Sequence, residues 1–281
     1  MFSLKDALGL VALRGRLFES VDTGGMISVS MGAKELAVIS EPLGIDIAAS
    51  NAPDLSVASG NKNSLANLQD ILESKEISCQ HIHIDVAAHS RMLEDILAPF
   101  GDYLNSIQLN PPSIDFISNL SGDWITPEQA IDPDYWVKHL RNTVLFDEGV
   151  KTLLDPNNYV LLEVGPGKTL SSLARLQSSE PTQIIEPSMP HIDDEATIRR
   201  TMLFALGRLW QGGVDIDFYK QYQECRKLSL PTYQFNRKRH WVDMPEKKPA
   251  QNTRSDSPEN NFYQPVWQRV STPPELTIPL Y

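Results

Sequence analysis

The stretch from Gly24 to Asp85 constrains the fold more than any other part of the chain. Met26 to Val29, Gly44 to Ala49, Leu55 to Ser59 and Ser78 to Asp85 have the composition of strands, while Gly32 to Ile39 and Asn63 to Glu73 carry apolar residues at helical spacing. Strand, helix, strand, strand, helix, strand is the order of a ferredoxin-like unit. The turn Asn51-Ala52-Pro53-Asp54 is predicted to join the two middle strands. Asn51 there either reaches into a cleft or caps its own turn, and the second is the default for a loop asparagine.

The last of those strands runs towards a histidine at a junction. Ile82, Ile84 and Val86 alternate with His83 and Asp85 as in a half-buried strand, and Met92, Leu93, Ile96, Leu97 and Phe100 then recur at helical spacing. His89 falls between the two, with Ser90 as the predicted N-cap and Glu94 and Asp95 in or near the first turn. The partial positive charge of a helix start favours a neutral imidazole, and a neutral imidazole takes a proton from a hydroxyl. From the local sequence alone, an ordinary loop histidine remains the default.

Ser3-Leu4-Lys5-Asp6 has the form of a helix capping box. Leu4, Ala7, Leu8, Val11 and Ala12 then give an amphipathic helix to about Phe18. At ~100° per residue Arg14 lies about 20° from Ala7, at the edge of the apolar stripe. There an arginine can cover core with its stem and offer its fork to a carboxylate, or simply face solvent.

Further along, Pro111 to Asn119 reads as an extended segment with a short strand. Thr126 to Gln129 opens a helix near Tyr135-Trp136-Val137. Tyr159 to Val164 is a nearly continuous apolar run, of the kind buried on both faces in a parallel sheet. Gly165-Pro166-Gly167 turns it into a helix carrying Leu170, Leu173 and Leu176, and this strand, glycine turn and helix predict an α/β body. Ile198 to Trp210 is another amphipathic helix, ended by Gly212-Gly213. Leu230 to Phe235 is extended and rigid, Pro245 to Asn261 reads as linker, and Phe262 to Trp267 regains aromatic character.

A net charge of -11 opposes a nucleic-acid or anionic-membrane partner, which wants a basic face. Cys79 and Cys225 are far apart without metal-ligand spacing and read as free thiols in a reducing cytoplasm. Neither a signal pattern nor an apolar run near the ~20 residues of a membrane helix occurs, so a cytoplasmic, soluble protein is expected. Gly167-Lys168-Thr169 lacks the glycine a phosphate-binding loop needs five residues earlier, where Leu162 stands. His81, His83 and Asp85 share a predicted strand face and read as a solvated face before a metal site, which would make a hydrolase only a distant reading. No Gly-x-Ser-x-Gly nucleophile motif occurs anywhere in the sequence.

Taken together, several segments resemble the malonyl-type acyltransferase domain of type I polyketide synthases. They are Phe2 to Leu8 running into Arg14-Gly15-Arg16-Leu17, Ala49 to Pro53 through Val57 to Gly60, Val86-Ala87-Ala88-His89-Ser90, Ser118-Asn119, Tyr135-Trp136-Val137 with His139-Leu140-Arg141, and Leu162 to Gly167. Leu206-Gly207 to Trp210, with Leu230 to Tyr233 and on to Trp241, is similar to the linker that follows such a domain. The resemblance implies an incomplete α/β-hydrolase-like body with an inserted ferredoxin-like subdomain. Residues 1–24 and 86–185 would form the body, 25–85 the subdomain, 186–243 the linker, 244–261 a flexible connection and 262–281 the start of a following domain.

The activity implied is a serine-histidine ping-pong transfer of a malonyl-type unit from CoA to the phosphopantetheine thiol of an acyl carrier protein. No cofactor is bound by the domain itself, and its partners are the acyl carrier protein and neighbouring synthase domains. Carried over by position, His89 is the catalytic histidine and Arg14 binds the free carboxylate. Val86 and Ala88 lie in the segment that selects the extender unit, and Asn51 borders the cleft. Val86-Ala87-Ala88-His89 matches neither usual selectivity form, His-Ala-Phe-His or Tyr-Ala-Ser-His, and small alanines leave room beside the histidine. The chain begins after the position of the family's Gly-His-Ser-x-Gly motif, so the isolated polypeptide is expected to be inactive. The alternative is a non-catalytic scaffold or docking segment of a megasynthase.

Overall fold

The computed structural model describes residues 1–154, 159–178, 182–221, 228–238, 240–242 and 267. The chain divides into two units, Met1–Gln223 and Glu224–Tyr281. The predicted linker at Pro245 to Asn261 and the aromatic segment from Phe262 lie outside the described residues, apart from Trp267.

In the first unit, α1 (Leu4–Ser20) is followed by β1 (Gly24–Val29), α2 (Ala33–Ser40), β2 (Asp46–Ala52), β3 (Leu55–Asn61), α3 (Lys62–Ser74) and β4 (Cys79–Ile82). The order is β-α-β-β-α-β from β1 to β4, and these strands pair antiparallel as β4-β1-β3-β2. Ile27 and Val29 of β1, Leu36 of α2, Ala58 of β3 and Leu65, Leu68 and Leu72 of α3 form their common core. Asn61 caps α3 by accepting from the Ser64 N–H at 2.8 Å.

After β4 come α4 (Glu94–Asn105), α5 (Pro127–Ala130), α6 (Pro133–Arg141), β5 (Val144–Leu145) and α7 (Phe146–Leu154). Thr126 and Gln129 cap α5 reciprocally, and Asp132 with Pro133 starts α6. β5 then adds to β2 in parallel, extending the sheet to β4-β1-β3-β2-β5. A second core joins α4 to α1 and α6 through Leu93, Ile96, Phe100, Leu104 and Leu140, with Leu10, Leu17 and Phe18 packed against it. The unit is completed by β6 (Leu161–Pro166), α8 (Thr169–Arg175), β7 (Ile185–Met189) and α9 (Ile198–Gln211), with β6 and β7 paired in parallel. In the second unit the described residues lack regular secondary structure, and Leu230, Tyr233, Phe235 and Trp241 are exposed.

Four expectations need correction. β4 ends at Ile82 instead of reaching Asp85, because the Ile84 N–H folds back onto the Ile82 carbonyl at 2.8 Å. Ile82 and Ile84 are therefore exposed. Helix α1 is capped by Ser3 as predicted, but Leu4, Leu8 and Val11 are 77%, 62% and 68% exposed. Its inner face is set instead by a close approach to α4, where a Cβ on Gly9 would stand 2.0 Å from the Tyr103 hydroxyl, itself donating to the Asp6 carbonyl at 3.2 Å. The run at Tyr159 to Val164 is not buried on both faces: residues of β6 alternate in burial and Val164 is 81% exposed. Among the described residues β6 has one neighbouring strand, so one side of it stays open. Between Pro111 and Asn119 a single bridge, Ile117 to Trp124, replaces the predicted strand.

Two glycines give contrasting expectations. A Cβ on Gly24 would lie 2.6 Å from Ala87 Cβ, 2.9 Å from Ala87 N and 3.0 Å from the Gly60 carbonyl, and that backbone has nowhere to go. Gly24→Ala is expected to cost roughly 1–3 kcal/mol by overpacking. A Cβ on Gly15, in α1, meets nothing within 4 Å, so Gly15→Ala should stabilise by about 0.5–1 kcal/mol. Urea midpoints of the two variants check both signs.

Candidate active site

The segment from Asp85 to Met92 is tied down at both ends. The Gly24 N–H donates to the Asp85 carbonyl at 3.0 Å, and the buried Ser90 hydroxyl donates to the Ala87 carbonyl at 2.7 Å. Ser90 is the N-cap expected, accepting from the Met92 N–H at 3.2 Å, though of a short 3-10 turn, Arg91–Leu93, that precedes α4. Asp46 at the start of β2 clamps the same turn. It accepts from the Arg91 backbone N–H at 2.6 Å and from the Arg91 fork at 3.1 and 3.0 Å. Burial pushes the Asp46 carboxyl up, but the Arg91 hydrogen bonds and the charge of Arg141 prevail and hold it below its ordinary range.

Between these restraints His89 adopts a left-handed backbone, φ 55°. A bulky residue rarely does so, and the conformation persists because both flanks over-determine it. Its ring Nδ1 lies 2.9 Å from the Asn142 carbonyl. That carbonyl is fixed in turn: Asn142 closes α6 through its N–H to the Lys138 carbonyl at 2.8 Å. Thr143 then donates to the Ile47 carbonyl at 2.7 Å as the chain enters β5. A carbonyl accepts and never donates, so Nδ1 carries the proton and Nε2 keeps its lone pair. Among the described residues no hydrogen bond joins His89 to a serine.

His89 opens on a cleft of about 290 Å³ lined by Leu10, Val11 and Arg14 of α1, Phe100 of α4, Asn119, Trp136, His139 and Leu140 of α6, and Val144 of β5. Its walls are apolar, and Arg14 brings the permanent charge. Arg14 sits one turn after Leu10 at the solvent edge of α1, its guanidinium carbon 4.9 Å above the Phe18 ring. Crowding in the cleft lowers its pKa by desolvation. His89 is held below the ordinary imidazole range, chiefly by burial and further by His139 and Arg14, with the carbonyls of Asn142 and His139 acting the other way. The direction agrees with the neutral imidazole expected from a helix start, but burial, not the helix, is its first cause.

The other sequence-predicted positions fall elsewhere. Val86 packs into the core shared by α1, α4 and α6, and Ala88 is 6% exposed. Asn51 is on β2, its carbonyl accepting from the Gln177 side chain at 3.2 Å. Gly165 and Gly167 have φ 150° and 97° at the end of β6, a backbone that favours glycine. Among the described residues no group of His, Cys, Asp and Glu could hold a metal. His81 instead meets Gln69 at 2.8 Å and Asp85 pairs with Lys62 at 3.0 Å. Sequence reasoning assigned no role to three parts of the cleft: His139, Asn119 and the Asn142 carbonyl. The last is a backbone group with no side-chain signature.

Residues 1–186 match the family model described as the acyl transferase domain, and the chain belongs to that family. It is 30% identical over 249 residues to a phenolphthiocerol/phthiocerol polyketide synthase of Mycobacterium tuberculosis, an alignment covering 86% of this chain and 16% of that protein. It is 33% identical over 279 residues to the PKS-NRPS hybrid synthetase acdB of Aspergillus candidus, covering 95% of this chain and 11% of that one. Solved neighbours include the acyl transferase domain of SpnD in complex with 2-(pent-4-yn-1-yl)malonyl, with TM-score 0.70 and 33% identity over 75% of this chain and 52% of that one. The acyltransferase domain of the second module of the salinomycin polyketide synthase gives TM-score 0.74 and 29% identity over 82% and 55%. The chain therefore spans about half the length of these solved domains. Among the described residues no helix is long and apolar enough to cross a membrane.

Because His89 and His139 are both held below the range they have in an unfolded chain, the folded state binds fewer protons as pH falls through that range. Stability is then lost on acidification and fully present above it. Between about pH 7.5 and about pH 5.5 the wild type should lose more of its urea midpoint than a His89→Gln/His139→Gln double variant.

Proposed function

We propose that this chain carries the base and the carboxylate-binding half of a centre that loads a malonyl-type unit from CoA onto the phosphopantetheine arm of an acyl carrier protein. The observation that supports it best is the His89 ring, anchored through Nδ1 on the Asn142 carbonyl at 2.9 Å, in one cleft with Arg14. A serine hydroxyl placed at Nε2 would give up its proton to the imidazole as its oxygen attacks the thioester carbonyl. As the tetrahedral adduct collapses, the imidazolium returns that proton to the departing CoA sulfur. The pantetheine thiol repeats both steps on the acyl-serine, which restores the hydroxyl. Arg14 would hold the free carboxylate as a two-pronged donor. The acyl carrier protein and neighbouring synthase domains are the partners this reading requires.

The serine and the oxyanion donors come from outside this sequence, which has no Gly-x-Ser-x-Gly motif. Alone, the chain should form no serine ester with radiolabelled malonyl-CoA. Joined behind the amino-terminal half of a related acyltransferase domain, it should form one. His89→Ala in that chimera should lower the labelling rate by about 100-fold or more, and Arg14→Gln should weaken labelling by malonyl-CoA more than by acetyl-CoA. Labelling of the isolated chain would overturn the division of the centre. A folded chimera that never labels would favour a scaffold.

A further inference from the structure

His139 shares the cleft with Arg14 and His89, and the transfer chemistry leaves it idle. It lies on α6, its ring centroid 6.4 Å from that of His89 at 88°, 6.0 Å from Trp136 and 6.4 Å from Tyr135. Behind it the Tyr135 hydroxyl donates to the buried Ser118 hydroxyl at 2.6 Å, which fixes this face of α6. His89 commits Nδ1 to the Asn142 carbonyl, whereas among the described residues neither ring nitrogen of His139 has a hydrogen-bond partner. Its ring nitrogens are not among the fully buried polar atoms without a partner, so water can serve them in the open cleft and an acceptor on a ligand can take that place.

The charge around it has one sign. Arg14 from α1, His89 from the loop before α4 and His139 from α6 face the cleft, while Phe100 of α4, Val144 of β5 and Asn119 add no charge. Among the described residues no carboxylate lines it. Two acidic groups beside this region are already engaged: Glu94 accepts from Arg141 at 2.6 Å, and Asp46 from Arg91.

We propose that His139 is a second carboxylate contact beside Arg14, and that the cleft takes up a proton on His139 when it takes up an acyl carboxylate. This rests on the proposed malonyl-type chemistry and adds to it. With Arg14 unpaired, burial and the Arg14 charge both keep His139 neutral. A carboxylate on Arg14 cancels that repulsion and offers an acceptor, so His139 protonates and gains a charge-assisted hydrogen bond. The new charge stands beside His89 and disfavours protonation there, so the base stays neutral while the carboxylate is held. The two histidines thereby divide two roles that one ring cannot fill together.

The test uses the full chain and monoethyl malonate, whose carboxylate stays ionised between about pH 5 and 8. Dimethyl malonate, which has no carboxylate, is the control. Binding followed by imidazole NMR should tighten at least about fivefold from about pH 7.5 to about pH 5.5, with His139 resonances moving to the protonated form as ligand saturates. His139→Gln should keep less than about half of that tightening, the remainder coming from His89, and His139→Asn serves if that variant folds poorly. Binding that needs Arg14 but is pH-independent in the wild type, with His139 unmoved, would overturn the proton uptake and leave the proposed function standing. Failure of monoethyl malonate to bind, or equal binding of dimethyl malonate, would overturn both.

Discussion

The hydrogen bond between His89 Nδ1 and the Asn142 carbonyl is the interaction on which the site depends. It joins two segments 53 residues apart, and each end is held by a different part of the fold. On one side are β1, through Gly24 and Asp85, and β2, through Asp46 and Arg91. On the other are the carboxyl end of α6 and the short β5, which completes the sheet beside β2. The five-stranded sheet therefore serves as the frame that brings a loop and a helix end together, and the helix packing of α1 on α4 sets Arg14 at the rim.

That arrangement explains why a strained backbone is tolerated. A left-handed histidine costs of order 1–3 kcal/mol, and here it is flanked by a buried serine cap and a four-way charged clamp. Asp46 and Arg141 are largely covered while Arg91 and Glu94 stand half in solvent, so the clamp acts more through geometry than through net electrostatic stabilisation. Its consequence is a fixed ring, with one nitrogen spent on the backbone and the other turned to the work of the cleft.

Much of this was legible in the sequence because it lay in local patterns. The β-α-β-β-α-β order, the caps at Ser3, Ser90 and Thr126, and the Gly212-Gly213 helix end all follow from spacing and residue type. The mixed α/β class and the family likeness agree with the fold and with the matching domain family. What was not legible depended on tertiary contacts. The face α1 buries is chosen by Gly9 meeting Tyr103, which periodicity does not encode. The apolar run in β6 looked doubly buried because a run of Val and Leu says nothing of how many neighbours a strand has. His139 stood in a family-like segment that gave it no role, and the Asn142 carbonyl, a backbone group, had no signal to give. Val86 and Ala88, assigned to the selecting segment by resemblance, pack inward beside His89.

The central claim is that His89 presents Nε2 as a free base because its Nδ1 proton is given to the Asn142 carbonyl. The most direct measurement is the ¹⁵N spectrum of the imidazole in the ¹⁵N-histidine-labelled chain at neutral pH, assigned with His89→Gln. The account predicts a neutral ring with a protonated, hydrogen-bonded Nδ1 and an unprotonated Nε2. A neutral ring with its proton on Nε2, or a ring already charged at that pH, would contradict it.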